Sequence, residues 1–143
     1  MAALSDRFAA LHTQLLPFQR TGVAWAIERG GRCLIADEMG LGKTVQAIAL
    51  IARYEADWPA LVVCPSSMRG SWVDELERWL PTLPSARIRV VRGKADVESV
   101  HDPGVAVVVC TCALLLIICP GFPARNSGRL CAATALPAAA LAD

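Results

Sequence analysis

Asp37-Glu38-Met39-Gly40-Leu41-Gly42-Lys43-Thr44 sits between an apolar run, Arg32-Cys33-Leu34-Ile35-Ala36, and a run with helical spacing, Val45-Gln46-Ala47-Ile48-Ala49-Leu50-Ile51-Ala52-Arg53. The order predicts a buried strand, a Gly-rich loop and a helix, the setting in which Gly-Lys-Thr forms a phosphate-binding loop. Gly40 and Gly42 let the backbone turn tightly and approach an anion closely. Successive N–H groups and the helix N-terminus then point at phosphate oxygens. In such a loop Lys43 would reach the β- and γ-phosphates and the Thr44 hydroxyl would ligate magnesium. The general pattern G-x-x-x-x-G-K-[ST] carries glycine in its first slot, where this chain has Asp37. A dinucleotide loop, G-x-G-x-x-G, would need a third glycine where Val45 stands, which argues against NAD. The competing reading is a glycine turn with an exposed lysine and no ligand.

Upstream, residues 1–31 are predicted to form a helical lead-in, with Leu15, Phe18, Val23, Trp25 and Ile27 as apolar surface and Gly30-Gly31 as the turn into the first strand. Gln19 in this segment is either a solvated polar residue on an amphipathic helix or a group that recognises adenine. Downstream, the helix ends near Glu55-Ala56-Asp57 and Pro59 precedes a second strand, Ala60 to Cys64. Pro65-Ser66-Ser67 ends that strand and starts a helix through Trp79. A serine there can cap the helix, or its hydroxyl and the free N–H groups can hold a nucleic-acid phosphate. Trp72, Leu76, Trp79 and Leu80 share one helix face, a spacing that favours core packing over base stacking. Arg87 to Val91 alternates as a half-exposed strand, Gly93 to Asp96 makes a turn, and Val105 to Cys110 reads as a buried strand.

The 143 residues suffice for one domain, and the net charge of +1 gives no global attraction to nucleic acid or to an anionic membrane. The six cysteines form no C-x-x-C pair, so reduced intracellular thiols are expected rather than a zinc site or a disulfide framework. The N-terminus lacks the basic segment and long apolar core of a secretory signal. The apolar run from Val105 to Cys119, broken only by Thr111, is shorter than the roughly 20 residues that span a bilayer. Beyond Gly104 the only charged residues are Arg125, Arg129 and Asp143, and residues 119–143 show no helix or strand period.

The octet Asp37 to Thr44 resembles the nucleotide-binding motif of the Swi/Snf-type ATPases, a branch of the superfamily 2 helicases in which aspartate commonly takes the first slot. Leu16-Pro17-Phe18-Gln19-Arg20-Thr21-Gly22-Val23 resembles that family's glutamine motif. Leu61-Val62-Val63-Cys64-Pro65-Ser66-Ser67, with Trp72 and Glu75, is similar to its motif Ia, and Thr111-Cys112-Ala113-Leu114-Leu115 to its Thr-x-x-x-Leu element. The wording around the glycines leans toward the annealing-helicase (HepA-related) branch.

The resemblance implies an α/β fold: a partial RecA-like lobe over residues 32–118, with a mostly parallel sheet and flanking helices. It also implies a lead-in with the glutamine motif over residues 1–31 and a divergent, poorly ordered tail over residues 119–143. The implied activity is DNA-dependent ATP hydrolysis driving translocation on duplex or branched DNA, as in repair or fork processing. Gln19 would contact adenine. Asp37, Glu38, Met39, Gly40, Leu41, Gly42, Lys43 and Thr44 would bind ATP and, through Thr44, magnesium. Pro65, Ser66, Ser67 and Thr111 would lie along DNA. The location would be intracellular, and nuclear in a eukaryote; no membrane is implied. Hydrolysis in this class further needs an acidic pair after a later strand and a second lobe with arginine fingers, whereas here the only acidic residue after Asp102 is Asp143. No catalytic base can be named, and the chain is expected not to turn over ATP. The alternative is a non-catalytic nucleotide-binding or interaction fragment. A small P-loop kinase would want a lid arginine and an acceptor carboxylate that the charge-poor tail does not offer.

Overall fold

A computed structural model describes residues 5–118. The predicted tail, residues 119–143, lies outside the described residues. Two helices open the chain, α1 (Asp6–Gln14) and α2 (Pro17–Glu28). Ser5 caps the first: its Oγ accepts from Phe8 N at 3.2 Å and donates to the Ala52 carbonyl at 3.1 Å, tying the lead-in to the helix that follows the Gly-rich loop. Pro17 begins α2, where its missing N–H costs nothing.

That next helix, α3 (Lys43–Arg53), buries Val45, Ile48, Ala49, Leu50, Ile51 and Ala52. A short turn leads to β1 (Ala60–Val63), then come α4 (Arg69–Trp79), β2 (Ile88–Val90), β3 (Val107–Cys110) and α5 (Cys112–Ile118). The three strands form a parallel sheet in the order β1-β3-β2, with Ala60 opposite Val107, Val63 opposite Cys110 and Ile88 opposite Val107. Side chains alternate across the pleat. Ala60, Val62, Val107 and Val109 join the core under α1, α3 and α4, while Leu61, Val63, Val108 and Cys110 pack with Val91, Val100 and Ile118. Both faces are covered, which explains the unbroken apolar runs in β1 and β3. The fold is α/β, a partial RecA-like lobe, as the sequence indicates.

Two expectations are corrected. The segment Arg32 to Ala36 is extended but pairs with no strand among the described residues. It keeps a two-residue alternation, with Cys33 and Ile35 packed against the core and Leu34 82% exposed. Apolar residues on both faces suit a central strand, but a ladder needs neighbours, and the described sheet places none beside it. Second, Ser66 and Ser67 do not cap α4. They form a separate 3-10 turn, and Met68 occupies the cap position with no side-chain bond. Trp72, Leu76 and Leu80 are buried as expected, and the half-buried Trp79 packs against the same core, its Nε1 donating to the Glu75 carboxylate at 2.7 Å. No helix among the described residues is long and apolar enough to cross a membrane.

Candidate nucleotide site

The loop between Ala36 and α3 is built on two glycines in the left-handed region, Gly40 at φ 85° and Gly42 at φ 78°. Gly42 is the N-cap residue of α3 and, being glycine, brings no side chain to cap the first N–H groups of that helix, which suits them to an outside acceptor. Lys43, the first residue of α3, turns back into the loop: its Nζ donates to the Asp37 carbonyl at 2.7 Å and to the Glu38 carbonyl at 2.9 Å. Thr44 beside it is half-buried, whereas Glu38, Met39, Gly40 and Leu41 are exposed. Within the loop the Leu41 N–H donates to the Glu38 carbonyl at 3.4 Å; a cation beside the N-terminus of a helix is an environment suited to anionic oxygens.

Two buried glutamines hold this loop, the only buried polar or charged side chains among the described residues. Gln19 on α2 accepts from Leu16 N at 3.0 Å and donates to the Leu41 carbonyl at 3.1 Å. Each end of that amide keeps one bonding position, since its oxygen has a second lone pair and its nitrogen a second hydrogen. Gln46 on α3 donates to the Asp37 carboxylate at 2.6 Å. Asp37, in the slot where other phosphate loops carry glycine, is thus an anchored acceptor. The sequence reading missed Gln46; its one signal is an amide among the apolar residues of α3.

The remaining predicted residues lie at the carboxyl ends of two neighbouring strands. Pro65, Ser66 and Ser67 follow β1, all exposed, and the half-buried Thr111 follows β3. The bond from Cys64 N to the Cys110 carbonyl, 2.9 Å, brings these two exits side by side. Because the connection from α3 to β1 is short, α3 runs back along the sheet and its N-terminus faces the same edge. The Cys64 thiol just before Pro65 is pushed up in pKa by burial, against an opposing pull from Arg69, which keeps it a protonated, inert hydrophobe.

With that geometry in place, comparison with known proteins defines the class. The SNF2-related domain matches residues 18–123, and the chain belongs to that family. Among individual relatives, the DNA annealing helicase and endonuclease ZRANB3 of Mus musculus is 50% identical over 105 residues, 73% of this chain and 10% of that protein. The Homo sapiens protein of the same name is 47% identical over 105 residues. The SWI/SNF-related matrix-associated actin-dependent regulator of chromatin subfamily A-like protein 1 of Xenopus tropicalis is 47% identical over 96 residues, 67% of this chain and 10% of that protein. The chain thus spans about a tenth of the length of these relatives.

Proposed function

We propose that this chain is the ATP-binding part of a DNA-dependent ATPase that translocates on duplex or branched DNA in annealing, repair or fork processing, and that its 143 residues do not hydrolyse ATP by themselves. The observation that carries the nucleotide reading is the Lys43 ammonium folded into a loop turned by two left-handed glycines, 2.7 and 2.9 Å from two of its carbonyls. A Cβ at Gly40 would meet no atom within 4 Å, so the space in front of that residue is open.

Phosphate would be held by the Lys43 side chain and the amides of Gly40, Gly42, Lys43 and Thr44. Adenine would use the remaining bonding positions of Gln19. Magnesium, with Thr44 as its protein ligand, would neutralise phosphate charge when bound. Pro65, Ser66, Ser67 and Thr111 offer backbone and hydroxyl groups to a DNA phosphate, contacts that position a duplex without reading its sequence. The names of the two relatives, a DNA annealing helicase and a regulator of chromatin, support the DNA reading and a nuclear location in a eukaryote.

Titration of the full chain with a fluorescent ATP analogue tests the phosphate loop. Removing one charge-assisted contact costs about 1.5–3 kcal/mol, so Lys43→Ala is expected to weaken binding by at least about tenfold. Unchanged affinity would refute the assignment.

A further inference from the structure

We propose that Gln46 is the positioning residue of the phosphate loop, that Asp37 is its acceptor, and that Gly22 is required to seat it. The proposal deepens the nucleotide reading and rests on it for the loop's purpose, but its geometry stands independently. Gln46 is 1% exposed, on a helix whose other buried residues, Val45, Ile48, Ala49, Leu50, Ile51 and Ala52, are all apolar. A buried amide is costly unless bonded, and the bond it makes is short and charge-assisted: Nε2 to the Asp37 carboxylate at 2.6 Å. Asp37 is also the residue whose carbonyl receives the Lys43 ammonium. One residue therefore fixes both the entry of the loop and its cation, and Gln46 fixes that residue from the helix that leaves the loop.

The other end of the amide explains a glycine in the interior of α2. An ideal Cβ on Gly22 would overlap Gln46 Oε1. Helix interiors disfavour glycine, so its presence here is accounted for by the close approach of α2 to the Gln46 amide. Gln19 makes the matching connection at the exit of the loop, through the Leu41 carbonyl. Helix α2 thereby carries one of the glutamines that hold the loop and contacts the other, and its displacement would reach Asp37 and Leu41 together.

Hydrogen–deuterium exchange on the full chain without nucleotide tests the device. In Gln46→Glu two carboxylates face each other, and exchange in the peptide spanning residues 37–43 is expected to accelerate about tenfold, while peptides over β1 and β3 stay as in the wild type. The exchanged pair Asp37→Asn/Gln46→Glu restores donor and acceptor and should return protection to within about threefold. Gly22→Ala gives a second reading by sign: alanine is the better helix former, so a purely helical role predicts unchanged or slower exchange, whereas displacement of Gln46 predicts faster exchange over residues 37–43. The proposal is overturned if Gln46→Glu leaves that peptide unchanged, if the exchanged pair exchanges as fast as the single variant, or if Gly22→Ala protects the loop. A parallel titration with the ATP analogue keeps the two readings apart. Loop protection that follows this pattern while Lys43→Ala binds like the wild type would refute the nucleotide site and leave the positioning role standing. Affinity lost in Lys43→Ala but untouched in Gln46→Glu would overturn the positioning role alone.

Discussion

Replacing either loop glycine by alanine separates what the backbone demands from what the neighbouring side chain demands. At Gly40, φ 85°, a Cβ meets nothing within 4 Å, so the cost is conformational: about 1–2 kcal/mol for the left-handed region, offset by several tenths from a stiffer unfolded chain. At Gly42, φ 78°, the same term applies, but the Cβ would lie 2.5 Å from Gln19 Nε2 and 3.1 Å from Val45 Cγ1. Gln19 is only 7% exposed, so its amide must release the Leu41 carbonyl with little water at hand, adding about 1–2 kcal/mol. Gly40→Ala is therefore expected to lower stability by about 1 kcal/mol and Gly42→Ala by about 2–3 kcal/mol. Urea unfolding followed by far-UV circular dichroism measures both. In a Gln19→Ala background the cost at Gly42 should fall to that at Gly40. Equal losses at the two glycines in the wild type, or a Gly42 cost indifferent to Gln19, would refute the idea that Gln19 governs the exit of the loop.

Three further outcomes are expected. Gln19→Ala should reduce ATP-over-GTP discrimination in competition binding, because the amide can both donate to and accept from the adenine edge; unchanged discrimination removes Gln19 from base recognition. Steady-state phosphate release from the purified chain should stay at background with and without forked DNA, since the arginine finger alone is worth about 10³–10⁵ in related enzymes; DNA-stimulated release that vanishes in Lys43→Ala would show that a catalytic carboxylate lies upstream of Asp102. The Asp96 carboxylate accepts from the Arg92 and Gly93 N–H groups, which lower its pKa. Its stabilising effect is present above the unfolded carboxylate value of about 3.9 and fades as pH falls through the lower folded one, so urea midpoints recorded from about pH 6 to about pH 3 should fall less steeply in Asp96→Asn.

Sequence and structure agree where local pattern decides. The helix from Lys43 to Arg53, the buried strands at residues 60–63 and 107–110 and the turn at Lys94–Asp96 all follow from spacing, branching and turn chemistry. They part where the deciding partner is distant in the chain. Arg32 to Ala36 has the composition of a central strand, yet composition cannot supply the neighbour that a ladder requires. Gln46 looks like an interruption of the apolar stripe until Asp37 and Gly22 are brought to it from two other segments. The role of Asp37 was hidden similarly: the motif shows that it replaces glycine, and only the packed helix shows what its carboxylate holds. Ser5, unremarked in the sequence, earns its place by joining the α1 N-terminus to the Ala52 carbonyl.

The sheet order has a consequence for synthesis. Among the described strands, β1 and β2 each bond to β3 and not to each other, and β3 is made last. A nascent chain that has released α1, α2 and α3 already owns much of one core, yet its two finished strands have no partner among the described strands until Val107–Cys110 is translated. Pairing at such sequence separation is intrinsically slow. Ala60-Leu61-Val62-Val63, wholly apolar and open along both edges during that interval, is the segment on which a stalled or shortened chain would seed aggregation.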